Sequence, residues 1–164
     1  MPYFYLCKRS IEKAIEAILK ERGYPVGEIS SNIMVVDRKR KKMSLEYFGT
    51  FKGGREKISL PIECQNPLPG APAAYCQRKA VYIENTLDPQ YNGYFKETKP
   101  YRSIISYPIR EDPQSENGKV IAILNIDSDL PDQFVSGDFI AKRIIPQVKP
   151  FIALLLLQQD LIKK

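Results

Sequence analysis

The sequence predicts an α/β domain: a central antiparallel sheet of five or six strands, with terminal helices on one face and a short helix and loops on the other. Three observations carry this reading. The stretch from Tyr101 to Asp129 alternates as two strands joined by a polar loop. Near the start, Ile11, Ala14, Ile15, Ile18 and Leu19 recur at helical spacing. Near the end, FIALLLL (Phe151 to Leu157) is apolar on every side of a helix. At 164 residues, 43% apolar and 27% charged, the chain fits one domain with a sizeable core, residues 1–164, which also suits a module cut from a longer multidomain protein.

In chain order, Ser10 is placed to cap a helix running to about Arg22, with Gly23 just past its end. Tyr3 to Leu6 either continue that helix backward or form the cut edge of a longer chain. Asn32 to Asp37 and Met43 to Phe51 read as strands linked by the basic run Arg38 to Lys42. That run supplies five of the net +6 charges, so the basicity is local. It has no interleaved aromatic residue and no recognition-helix motif nearby. It therefore reads as a solvated hairpin turn that discourages edge pairing, and nucleic acid is not an expected partner.

Gly53-Gly54 lacks the spacing of a phosphate-cradling loop and reads as a turn. Lys57 to Glu63 is a short strand, Asn66 to Pro72 a rigid loop, and about Ala73 to Arg78 a short helix. Ala80 to Asn85 is a further strand, followed by an aromatic-rich crossover into the long hairpin. In the first strand of that hairpin Tyr101, Ser103, Ile105, Tyr107 and Ile109 share a face. In the second, Val120, Ala122, Leu124 and Ile126 alternate with Ile121 and Ile123, so both sides are covered. Its end carries Asn125, Asp127 and Asp129 at the edge of an apolar sheet. Beyond it, Ser136 is placed to cap a helix holding Phe139, Ile140, Ile144 and Ile145, and Pro146 and Pro150 predict a kink or two joined helices.

The chain has no histidine, which excludes hydrolases with a His base, His-ligated metal sites and an imidazole proton shuttle. Cys7, Cys64 and Cys76 are odd in number and lack CxxC spacing; they read as free, packed thiols in a reducing compartment. There is no secretory pattern at the start and no apolar run of spanning length. The expectation is a soluble, cytoplasmic protein with no membrane partner.

YRSIISYPI, a gap, then GKVIAILNIDSD and Phe134 resemble the most recognisable part of a GAF domain, and the similarity extends over roughly Ile11 to Ile162. The resemblance implies a pocket closed by the short helix and the Tyr-rich crossover. Its candidate lining is Tyr75, Asn85, Asp88, Tyr91, Tyr94, Tyr101, Ser103, Asn125 and Asp127. Tyrosine offers a flat apolar face with a polar tip, which suits a planar or small polar ligand, unless the rings fill the cavity themselves. Terminal helices of GAF proteins commonly pair with those of a second copy. That implies a homodimer through Ile15, Ile18, Phe151, Leu154, Leu155 and Ile162, with an effector domain downstream.

GAF-type free methionine sulfoxide reductases are the enzymatic comparison. Their upstream cysteine falls near Ala71 and their catalytic cysteine within Phe95 to Thr98, where this chain has none; the acidic residue expected after Ser103 is Ile104. Bilin attachment would need a Cys-His pair. The cyclic-nucleotide signature is matched at Phe134 and Asp138 but not at the following position, Phe139. The expectation is therefore a non-enzymatic sensory or regulatory module for an unidentified small molecule, with no catalytic residues, cofactor or metal. A structural dimerisation domain with a closed pocket is the second reading, and a sulfoxide reductase the third.

Overall fold

A computed structural model of the protein describes residues 2–37, 39, 41–45, 58–91, 93–95, 100–112, 114–134 and 137–162, with backbone alone for 2–7, 45, 151, 155–156 and 158–162. The alternating stretches become strands β1 (Ile29–Asp37), β2 (Lys42–Leu45), β3 (Ser59–Pro61), β4 (Val81–Ile83), β5 (Ser103–Arg110) and β6 (Val120–Ser128). They form one antiparallel sheet in the order β3-β2-β1-β6-β5-β4. Residues 46–51 of the expected second strand, Gly53-Gly54, Arg38, Arg40 and Ser136 lie outside the described residues.

The long hairpin supplies the two most enclosed strands. β6 pairs with β5 from Ser103↔Ser128 to Ile109↔Ala122, then shifts register at Ile109/Arg110 so that Arg110 opposes Val120. This bulge sends Val120 to the same side as Ile123 although the two are an odd number of positions apart. On its other edge β6 pairs with β1, from Ile29↔Ser128 to Val35↔Ala122.

One face carries Ile29, Ile33, Ile105, Ile109, Ala122, Leu124 and Ile126 and is covered by α1 (Pro2–Glu21) and α4 (Ile145–Ile162). Ile11, Ile15 and Leu19 of α1 and Ile145, Ile152 and Ala153 of α4 fill that layer. Burial of these side chains removes about 1.5–3 kcal/mol of unfavourable hydration for each large one. α1 is also tied to β1 by Glu12, which is buried and accepts hydrogen bonds from Ser31 N and Ser31 Oγ, both at 2.9 Å. The opposite face carries Met34, Met43, Ile123 and Val120, packed under Ala71 and Ala74 of α2 (Ala71–Gln77).

Two helix boundaries correct the sequence expectation. α1 starts at Pro2, so Ser10 lies inside it and caps nothing; Pro2 needs no helical hydrogen bond in the first turn, which lets the helix begin there. At the other end Pro146 and Pro150 do not divide the helix, since both lie within α4. The irregularity comes just before, where α3 (Gly137–Phe139) leads into a π-helical turn (Ile140–Ile144) and Ile145 N–H bonds the Ile140 carbonyl five residues back. Arg22, following α1, stacks its guanidinium 3.9 Å from the Phe139 ring centroid and joins the two helical ends.

Among the described residues, no helix is long and apolar enough to cross a membrane, and no three His, Cys, Asp or Glu side chains gather as a metal site.

Candidate functional site

The face under α2 differs from the other in one respect: a row of polar side chains runs across its three central strands. Ser106 on β5 donates from Oγ to Asn125 Oδ1 on β6 at 2.7 Å, and Asn125 Nδ2 donates to Asn32 Oδ1 on β1 at 2.9 Å. Register puts them there, because Asn32, Asn125 and Ser106 stand directly opposite one another on adjacent strands. Each bond orients the next amide, so the row is a fixed array with the Asn32 amide hydrogens left to donate onward.

One step further along the same face of β6 is Asp127, flanked in register by Ser30 on β1 and Ile104 on β5. Burial pushes its carboxyl up to about 7; Lys8 opposes the shift, and the charges of Glu12 and Glu28 add to it. Tyr101 stands close enough that the Asp127 charge, after burial itself, raises its phenol above the ordinary range. Tyr101 begins a short aromatic chain: Phe95 meets it edge-on at 6.2 Å, and Tyr91 meets Phe95 edge-on at 5.9 Å. A carboxylate, an amide array and an aromatic edge thus lie on and beside one side of the sheet.

α2 bounds this region at the other end. Gly70, which precedes the helix, has φ 85, and a Cβ placed there would lie 3.6 Å from Ile83 Cδ1 and 3.7 Å from Ser106 Oγ. The start of α2 is therefore a wall against Ser106. Its far end carries Cys76, which forms a disulfide with Cys64 in the loop after β3. This corrects the expectation of free thiols for these two residues. The loop folds back along α2 and brings two cysteines twelve positions apart within 5.2 Å at Cα, a proximity invisible in their spacing. The Cys7 side chain lies outside the described residues.

Of the nine residues expected to line a pocket, Asn125, Asp127, Tyr101 and Tyr91 are in or beside this region. Tyr75 is half-buried in the packing beneath α2. Ser103 is on the wrong face: it is fully buried on the α1/α4 side, where its Oγ donates to the Leu130 carbonyl at 2.7 Å. The reason is parity, since Ser103 opposes Ser128 and so shares the side of Ile126, whereas Asp127 opposes Ile104. Asn85 and Asp88 are occupied locally, each accepting from a backbone N–H two residues on (Leu87 and Gln90, both 3.0 Å). Tyr94 is 51% exposed.

Sequence reasoning missed Asn32, Ser106 and Phe95. The first two could have been found by asking which polar residues of β1 and β5 share the parity of Asn125. Of the expected dimer contacts, Ile15 is buried against its own sheet and has no surface to offer. Ile18 is half-buried, Leu154 is 57% exposed, and the side chains of Phe151, Leu155 and Ile162 lie outside the described residues.

No protein-family model matches this chain, and no curated protein does. Solved structures do. The chain is similar to the GAF domain region of a putative membrane protein from Geobacter sulfurreducens, at 15% identity and TM-score 0.55, over 93% of this chain and 95% of that one. It is also similar to the free methionine-R-sulfoxide reductase of Staphylococcus aureus in complex with substrate, at 17% identity and TM-score 0.54, over 88% and 92% of the two chains. The corresponding enzyme from Neisseria meningitidis, also with its substrate, gives 20% identity and TM-score 0.53, over 90% and 78%.

Proposed function

We propose that this protein, which has the GAF fold, is a non-enzymatic sensory or regulatory domain that binds a small molecule. Its ligand would sit on the α2 face, between the Asn32–Asn125–Ser106 row and the Tyr91–Phe95–Tyr101 edge. The observation that carries the reading is the placement of Asp127 beside Tyr101 at the end of an ordered amide row. That arrangement suits a small molecule with a donor or cationic group for Asp127, an acceptor for the Asn32 amide, and a flat or apolar part for the rings. Ligand contacts that differ between two arrangements of α1 and α4 would shift their populations and pass the signal to a neighbouring domain.

A thermal-shift panel of nucleotides, cyclic nucleotides, aromatic acids and free amino acids tests this. Free methionine sulfoxide belongs in the panel because reductases of similar fold are solved with their substrate. A compound at a hundred times its Kd should stabilise the protein by about 2.7 kcal/mol. A flat response across the panel would overturn the binding reading in favour of a structural domain with a closed pocket. Turnover of methionine sulfoxide by the purified protein would overturn the non-enzymatic one.

Pairing of two copies through α4 is the accompanying proposal, supported by the exposure of Leu154 beside buried Ile152 and Ala153. Light scattering should show a dimer that Leu154→Asp converts to monomer without lowering the melting temperature of the monomeric unit. A wild-type monomer at 100 μM would remove this route for the signal.

A further inference from the structure

The Cys64–Cys76 disulfide ties the loop after β3 to α2, and both β3 and α2 are short elements. β3 is a three-residue strand at the edge of the sheet, with Ser59 and Pro61 exposed. α2 has seven residues, and its buried positions are Ala71, Pro72, Ala73 and Ala74, which bring little apolar area. A helix of this length does not hold itself in water. What it covers is the candidate site, through Gly70 against Ser106 Oγ and Ala71 and Ala74 over Ile123 and Met34. Cys64 is solvent-exposed and Cys76 half-buried, so the bond is within reach of a small thiol.

We propose that Cys64–Cys76 is a redox clasp on one wall of the ligand site, a regulation that rests on the reading above. In the reducing direction, a thiolate of a small dithiol attacks Cys64 Sγ, the S–S bond breaks, and Cys76 leaves as a thiolate that takes a proton. The second thiol of the dithiol then displaces Cys64 from the mixed disulfide. Two electrons and two protons pass to the protein, and the dithiol becomes a disulfide. Oxidation runs in reverse, with a small disulfide of the glutathione type accepting the two electrons. With the bond open, residues 65–70 and α2 keep their backbone turns and the packing of Ala71, Ala74 and Tyr75 on the sheet but lose their covalent tie to Cys64, so the wall against Ser106 loosens while the sheet behind it stays formed.

Hydrogen exchange on the full chain decides this without needing a ligand. The protein is compared after treatment with oxidised glutathione and after dithiothreitol, with thiol alkylation to establish each state. Reduction should speed exchange at least tenfold in peptides covering 64–77 and leave those of β1, β5 and β6 unchanged. Oxidised glutathione should restore the slow rate, and Cys64→Ser/Cys76→Ser should stay fast in both buffers. Equal exchange over 64–77 in the two states overturns the proposal. So does acceleration throughout the sheet, which would make the bond a staple for the whole fold, or two alkylatable thiols after oxidation. The compound from the thermal-shift panel that stabilises most is then titrated in both states. An affinity changed at least threefold supports the link to the site, and an unchanged one overturns it. A flat panel would overturn the ligand-binding reading alone, because the exchange result stands independently.

Discussion

Gln133→Ala should lower the melting temperature by roughly 5–15 °C, from a loss of about 2–4 kcal/mol at a few degrees per kcal/mol for a chain of this size. Gln133 is buried and serves three partners. Its Oε1 accepts from Gly27 N at 2.7 Å and from Ser128 Oγ at 3.2 Å, while its Nε2 donates to the Pro25 carbonyl at 2.7 Å. It thereby ties the connection between α1 and β1 to the chain leaving β6, more than a hundred positions away. Alanine leaves the Gly27 N–H and the Pro25 carbonyl without that partner in a partly buried place, and the cost is that of unpaired backbone groups. Gln133→Glu separates this from a loss of volume. It keeps the shape and the acceptor for Gly27 but turns a carboxylate oxygen toward the Pro25 carbonyl, so it should be at least as destabilising at neutral pH. Thermal unfolding of both variants checks the claim, and a Glu variant close to wild type would overturn it. The same junction explains Gly27. A Cβ there would come within 2.7 Å of Ser128 Oγ and 2.8 Å of Leu130 Cγ, and closer still to Asp129 Oδ1, which already accepts from Glu28 N.

The hairpin and the amphipathic first helix were legible because each rests on local periodicity, and period 2 or 3.6 survives whatever the neighbours do. The six-stranded sheet and the helices on one face follow from those patterns. The site was harder, for reasons visible in particular residues. Ser103 and Asn125 are both small and polar, but the side each takes depends on pairing register, and the bulge at Ile109/Arg110 breaks simple counting from the hairpin loop. Asn32 and Ser106 matter only because Asn125 stands between them, a relation across strands 93 and 19 positions apart in sequence. The disulfide was missed because cysteine spacing says nothing once the intervening loop doubles back along a helix. A stripe at helical spacing looks alike whether it packs on its own sheet or on a second copy, which is why Ile15 reads as a partner contact from the sequence and yet is buried in its own domain.

Asp127→Asn should make the protein more stable at pH 8 and no more stable at pH 4, while weakening any cationic ligand. The sign follows from the direction of the shift. The carboxyl titrates near its ordinary value of 3.8 when unfolded and is raised to about 7 when folded, with burial as the main cause. The folded state therefore holds a proton that the unfolded state has released between those values. The contribution to stability is complete below pH 3.8, falls as pH rises toward 7, and stays lost above it. Asparagine carries no charge to strand, so the gain over wild type should grow from nothing near pH 4 to roughly 1–3 kcal/mol at pH 8. Urea unfolding of the two proteins across that range measures it, and a gap that is constant or reversed in sign would refute the assignment. Binding should run the other way. A cationic group pairs with the ionised carboxylate only, so its affinity for the wild type should rise up to tenfold per pH unit between 6 and 7 and level off above 7. Asp127→Asn should flatten that profile at its weak end. A protein that gives up stability at neutral pH to keep a carboxylate half-buried beside Tyr101 would be expected to recover it when the partner arrives, and the two titrations together test that exchange.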